Sequence, residues 1–310
     1  MNRKFYIFLL IFLSYPSFAF FGSEENIKEI CLQDVDGEER NPPLITNLDC
    51  FDRNSCPIVS EMKKNHYLVL VDTTEGLSDN EIGFLRNDVL SVRTLNLIEP
   101  YSKLSVFNVN DKVVPSDLKP LAWYCRPRSG NKASPYEADY PHKSQGVKVT
   151  RKNFQNWGIA TRKKSIESLS KETKAQRTLL FEHINSITTL PIYEFRGEDY
   201  KDRTLILFSD LLQFSKRINL KGECGSYDNR KKCLSFDRFY NTTSTKVKRY
   251  LDEIKPAFSS NSKVIIYHVI NKEIKGKPLE RNLKGFWISF FEWAGVKKEN
   301  IDYRMLFDSV

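Results

Sequence analysis

Histidine is scarce: four residues in 310 leave too few ligands for a multi-histidine metal enzyme. No Cys-x-x-Cys pair with a nearby histidine occurs, which speaks against a zinc site. The Gly-x-Ser-x-Gly elbow, the Gly-x-x-x-x-Gly-Lys phosphate loop and the His-Glu-x-x-His helix are all missing. So is the second aspartate that a haloacid-dehalogenase loop needs after Asp72. Beyond the first twenty or so residues no run of about 18 apolar residues could span a bilayer. No internal repeat or low-complexity tract is present. Charge is only mildly unbalanced, with Lys plus Arg at 48 against Asp plus Glu at 39, a net +9. Such an excess does not by itself indicate nucleic acid, and it suits a protein working beside anionic surfaces. A hydrophobic fraction of 40% in a chain of 36.2 kDa can build a core, which excludes disorder throughout.

What is present first is an export signal. Asn2, Arg3 and Lys4 form a short basic start, Phe5 to Leu13 an apolar run, and Ser17-Phe18-Ala19 a small-residue cleavage site. Residues 1–19 are therefore expected to be a signal peptide, with the mature chain starting near Phe20 at a net +7 and reaching the periplasm or the exterior. The alternative is an uncleaved anchor extended through Phe21. Six cysteines, Cys31, Cys50, Cys56, Cys125, Cys224 and Cys233, agree with an oxidising compartment. They allow fifteen pairings, a number fixed by combinatorics alone. Cys224 and Cys233 bracket a short polar stretch and are the expected pair among them.

Residues 20–63 read as an irregular, cysteine-stapled segment broken by Asn41-Pro42-Pro43 and Asn54-Ser55-Cys56-Pro57. From residue 64 to 310 the pattern becomes α/β. Aliphatic runs at 66–71, 104–109, 204–208 and 264–269 predict strands buried on both faces. Ser78 with Glu81 is a capping box that opens a helix striped by Ile82, Leu85, Val89 and Leu90. Residues 113–157 read as a long loop insertion, residues 162–187 as helix, and Leu279 to Ala294 as a closing helix bearing Phe286, Trp287, Phe290 and Phe291. At helical spacing those aromatics suit a core better than a carbohydrate platform. The expected fold is a mostly parallel central sheet with helices on both faces, four of its strands being neighbours.

In such sheets ligands sit beyond the carboxyl ends of the strands. Two of those ends carry acids: Asp72 after the first strand and Asp210 after the third strong run. With Thr74 they offer hard oxygens of the kind that suit Mg²⁺. At these residues the chain resembles the von Willebrand factor A-like superfamily, whose metal-ion-dependent adhesion site opens with Asp-x-Ser-x-Ser. Asp72 and Thr74 match the first two motif positions, Asp210 in Leu207-Phe208-Ser209-Asp210 matches the third-loop aspartate, and Thr189 before Leu190-Pro191 matches the second-loop threonine. Gly76 stands where the family has its second serine. The blocks 72–78, 208–213 and 286–295 are similar to an exported bacterial branch of the superfamily, and the resemblance spans roughly residues 64 to 300.

The resemblance implies a protein-interaction module with a weak or lost Mg²⁺ site at Asp72, Thr74, Asp210 and Thr189, recruiting a protein partner in the cell envelope. Asp72 and Asp210 also have a plainer reading as turn and cap residues. Two other functions remain open: a metal-free basic scaffold at the envelope surface, and a metal-assisted hydrolase using the same acidic edge. No specific nucleic acid partner is expected.

Overall fold

The computed structural model describes residues 52, 54–58, 63–110, 112, 114–129, 147–171, 175–193, 195, 200–225, 230–270 and 274–306. The expected signal peptide, most of the 20–63 segment, and Cys31 and Cys50 lie outside them.

Each aliphatic run becomes a strand. β1 (Asn65–Asp72), β2 (Lys103–Val109), β4 (Asp202–Ser209) and β5 (Ser262–Val269) lie side by side, joined by β3 (Ala122–Cys125) and β6 (Ile301–Leu306) at the edges. The order is β3-β2-β1-β4-β5-β6. Only β3 is antiparallel, pairing Val106 with Ala122 and Lys103 with Cys125. The chain winds outward from β1 through β2 and then returns to β4 on the other side of β1, so the switch in strand order falls between β1 and β4.

Side chains alternate across the sheet with period two, and both faces are covered. Leu68, Leu70, Leu205, Leu207, Val264 and Ile266 face one core, built with α5 (Leu180–Thr189) and α9 (Pro278–Trp293). Val69, Val71, Val106, Ile206 and Phe208 face the other. That second core is closed by α1 (Asp79–Phe84), α2 (Val92–Asn96), α3 (Val147–Gly158) and α4 (Lys164–Leu169). The expected capping box forms: Ser78 Oγ accepts the Glu81 N–H, and a Glu81 carboxylate oxygen accepts the Ser78 N–H at 2.6 Å. Phe286, Trp287, Phe290 and Phe291 are all buried, with the Phe290 ring tilted against that of Phe181 of α5 at 4.7 Å between centroids. They are core, as their spacing predicts. Gly295 stops α9 at φ 102°, a left-handed conformation that costs glycine no Cβ clash.

The 113–157 span differs from the expected loop. It contains a 3₁₀ turn at Pro115–Asp117, β3, and all but the last residue of α3. Four residues of strand are too few to show a period, and α3 is too polar overall to announce itself by hydrophobicity. The expected helix at 162–187 is likewise divided: α4 ends at Leu169 and α5 begins at Leu180. α6 (Leu220–Cys224), α7 (Phe236–Thr242) and α8 (Thr245–Glu253) complete the chain order between β4 and β5. Two disulfides form among the described residues. Cys224 pairs with Cys233, as the short loop predicts, and Cys56 pairs with Cys125 at the end of β3 with Cα atoms 4.7 Å apart. The second bridge holds residues 54–58 against the edge strand, where Asn54 O also accepts the Cys125 N–H at 3.0 Å.

Candidate functional site

The switch point sets the carboxyl ends of β1 and β4 side by side, with Val71 opposite Phe208. The following residues, Asp72 and Ser209, therefore emerge on the same face and touch. Ser209 Oγ donates to Asp72 Oδ2 at 2.7 Å. Asp72 Oδ1 accepts the Thr74 hydroxyl at 2.6 Å and the Thr74 N–H at 3.0 Å. Ser209 Oγ in turn accepts the Leu211 N–H at 2.8 Å. A carboxylate with three protein donors thus clamps the two strand ends together. Burial raises the Asp72 carboxyl above its ordinary value; the Thr74 and Ser209 hydrogen bonds oppose that rise, and the neighbouring Glu75 charge adds to it.

The turn after Asp72 explains the departure at position 76. The Gly76 N–H closes back on Thr73 O at 3.0 Å, and Gly76 has φ 73°. A serine there would carry its Cβ into the left-handed region, which disfavours every residue but glycine. The backbone route of this turn demands glycine, so the second hydroxyl of the adhesion motif is absent for a conformational reason.

The loop after β4 is held as firmly. Asp210 Oδ1 accepts the Leu212 N–H at 2.9 Å, forming a tight turn. Leu211 adopts φ 66°, rare for a non-glycine residue, and its carbonyl accepts the Trp287 indole N–H at 3.0 Å. Gln213, fully buried, accepts the N–H of Phe181 at the head of α5 and donates to Glu182 at 2.9 Å. Tyr250 also donates to Glu182. Phe214 then pairs with Thr178, each N–H donating to the other's carbonyl at 2.9 Å, while its ring stays 44% exposed. Lys216 and Arg217 follow on the surface.

Asp72 and Thr74 are in contact, and Asp210 is one residue beyond the Ser209 clamp. Thr189 is elsewhere. α5 runs back toward the start of β4, so its last residue lies at the opposite, amino edge, where the Thr189 hydroxyl donates to Asn185 O at 2.8 Å in its own helix. Adjacent Thr188 accepts the Ala257 N–H at 3.1 Å ahead of β5, which fixes the same placement. The threonine that the fold brings to the carboxyl edge is Thr178, at the head of α5. The residues that sequence reasoning missed are Ser209, Leu211 and Gln213. Ser209 was signalled only by standing beside Asp210 at a strand's end.

The donor set does not fit a resident Mg²⁺. Both Asp72 oxygens face hydrogens from Thr74 and Ser209, and a cation would have to displace one of them. Position 76 supplies no side-chain oxygen. Among the described residues no group of three or more His, Cys, Asp or Glu side chains converges. An octahedral ion needs six oxygens at about 2.1 Å, and this edge offers its carboxylate already engaged.

No family model matches the chain, and no curated protein is similar to it at a significant level. Among solved structures, it is similar to the SpRpn10 VWA domain at 8% identity and a TM-score of 0.34, over 78% of this chain and 88% of that one. It is similar to the pilus adhesin SpaC from Lactobacillus rhamnosus GG at 9% identity and a TM-score of 0.38, over 78% of this chain and 28% of that one. A von Willebrand factor type A protein from Catenulispora acidiphila matches at 9% identity and a TM-score of 0.31, over 79% and 39% of the two chains. Superpositions of this quality carry no functional weight. The chain's own geometry defines the class: a doubly wound α/β domain with an Asp-x-Thr turn and a Ser-Asp loop meeting at its switch point.

Proposed function

We propose that the protein is an exported protein-interaction module, and that its docking edge is the carboxyl rim of β1 and β4. Phe214 carries this reading. An aromatic ring left 44% exposed on a loop whose backbone is fixed on both sides loses little entropy when a partner covers it. Leu211, three residues earlier in the same loop, is a strained left-handed residue retained by its surroundings, and such residues gather at binding sites. The Asp72 clamp keeps the rim rigid without a cation. The Ser209 hydroxyl, which meets the Asp72 carboxylate, is buried and already engaged by Asp72 and the Leu211 N–H, so binding accounts for the rim better than hydrolysis does.

The test places a photo-crosslinking phenylalanine analogue at Phe214 in the exported protein, with a control at Asn261 on the amino edge. A discrete protein adduct at position 214 and none at 261 is the expected result. Equal labelling at both positions would remove the rim from consideration. A weak Mg²⁺ site of Thr74, Asp72 and Asp210, which would displace a hydrogen bond of the clamp, is the second reading, favoured by the β1–β4 register that sets their loops side by side. It predicts adducts at 214 that vanish with chelator, whereas the clamp reading predicts adducts indifferent to it.

A further inference from the structure

One of the basic stretches of this protein lies on two consecutive helices. Over residues 147–169, Lys148, Arg151, Lys152, Arg162, Lys163 and Lys164 stand against the single acid Glu167, a net +5 within a chain total of +9. α3 and α4 form one continuous rod there, joined by a wide turn at Ile159–Lys163. That turn inserts one extra residue, and the insertion keeps the apolar side in register across the junction. Trp157, Ile166 and Leu169 remain buried against the sheet on either side of it. The opposite side of the rod faces solvent. Lys148, Lys152, Ile159 and Lys163 are all exposed along it, and Val149 and Ile159 leave 54% and 49% of their surfaces uncovered. Among the described residues this stripe gives a 4.0 Å contact between Lys163 and Glu167, both exposed, which neutralises little.

Exposed lysines alternating with exposed aliphatics, over a rod about 34 Å long, fit a flat anionic surface better than a folded protein pocket. We infer that the outer stripe of the 147–169 rod docks the protein on a membrane rich in anionic phospholipid. Lys148, Arg151, Lys152 and Lys163 meet the headgroup phosphates, and Val149 and Ile159 enter the headgroup layer. The rod packs on the second core and takes no part in the β1–β4 rim, so the inference goes beyond the interaction module and stands or falls apart from it. Nucleic acid also offers phosphates, but no exposed aromatic side chain interleaves with the stripe to stack on bases.

The test is vesicle sedimentation of the whole mature chain. Vesicles of about one-third phosphatidylglycerol in phosphatidylcholine, in about 50 mM salt, should take up the protein at least about tenfold better than pure phosphatidylcholine vesicles. Each neutralised lysine should lower partition about fivefold, so Lys148→Gln/Lys152→Gln/Lys163→Gln should lose about a hundredfold with an unchanged melting temperature. Lys246→Gln/Lys248→Gln/Arg249→Gln, on α8, should leave partition near wild type. Ile159→Asp should weaken binding further than charge alone explains. Three outcomes would overturn the inference: no preference for anionic vesicles, an equal loss in the α8 variant, or tight binding of a short DNA duplex by a protein that ignores vesicles.

Discussion

His268 gives the sharpest test of how this core is built. It lies on β5 beside Ser209 and is fully buried, with Nδ1 2.7 Å from the Tyr303 hydroxyl. Nε2 is buried with no hydrogen-bond partner. Burial pushes its pKa down to about 4. No carboxylate contacts the ring; Glu280 acts on Tyr303, whose hydroxyl is held protonated chiefly by burial, and Lys284 lies 5.8 Å over the Tyr303 ring. The neutral imidazole is therefore the folded form, while the unfolded chain takes up a proton near the ordinary value of about 6.5. The folded state binds fewer protons in that window, so stability is complete above about pH 6.5 and falls as pH drops toward 4. At about 1.4 kcal/mol per pH unit, moving from pH 7.5 to about 4.5 should remove about 2.5 kcal/mol through this group alone. Urea titrations of wild type and His268→Phe at both pH values isolate it, because every other titration is common to the two. The variant loses the hydrogen bond to Tyr303 equally at both, and should show a pH dependence shallower by about 2.5 kcal/mol. Parallel losses in the two proteins would refute the buried neutral imidazole.

Four further outcomes follow from the rim and the bridge. Asp72→Ala strands the Thr74 and Ser209 donors and should cost about 3 kcal/mol in urea, whereas Asp72→Asn, keeping an acceptor for Thr74, should stay within about 1 kcal/mol of wild type and gain on it as pH rises through the carboxylate range, since a raised carboxyl favours the folded state only while protonated. Melting curves of wild type with Mg²⁺ or chelator should coincide; a gain in Mg²⁺ that Asp72→Asn abolishes would restore the cation. Gly76→Ser should destabilise by about 1–2 kcal/mol and add no Mg²⁺ response, because the left-handed turn resists any Cβ. Replacing Cys56 and Cys125 by serine opens a link of 69 residues and should cost about 4 kcal/mol by loop entropy, read as a fall in urea midpoint with a steeper slope from the more expanded unfolded chain.

Much of the scaffold was legible in the amino-acid order. Strands buried on both faces need only an unbroken aliphatic run, so β1, β2, β4 and β5 appear in the sequence within two residues of their true limits. The Ser78–Glu81 capping box, the Cys224–Cys233 loop and the aromatic stripe of α9 are local patterns, and each forms as read. β3 and β6 are edge strands with mixed exposure and little pattern of their own, and only pairing with β2 and β5 makes them strands. At the site, the sequence placed Asp72, Thr74 and Asp210 at strand ends. It pointed to Thr189 as the second-loop threonine, whereas the fold brings Thr178 to the carboxyl edge, because the direction of a helix against the sheet decides which of its ends meets the rim. Nor could it show that Ser209 answers Asp72 across 137 residues, since that bond exists only once β1 and β4 become neighbours. Local chemistry chose the elements, and the crossover between β1 and β4 chose which side chains meet, because a contact between distant residues is a property of strand order and register that no short stretch of sequence contains.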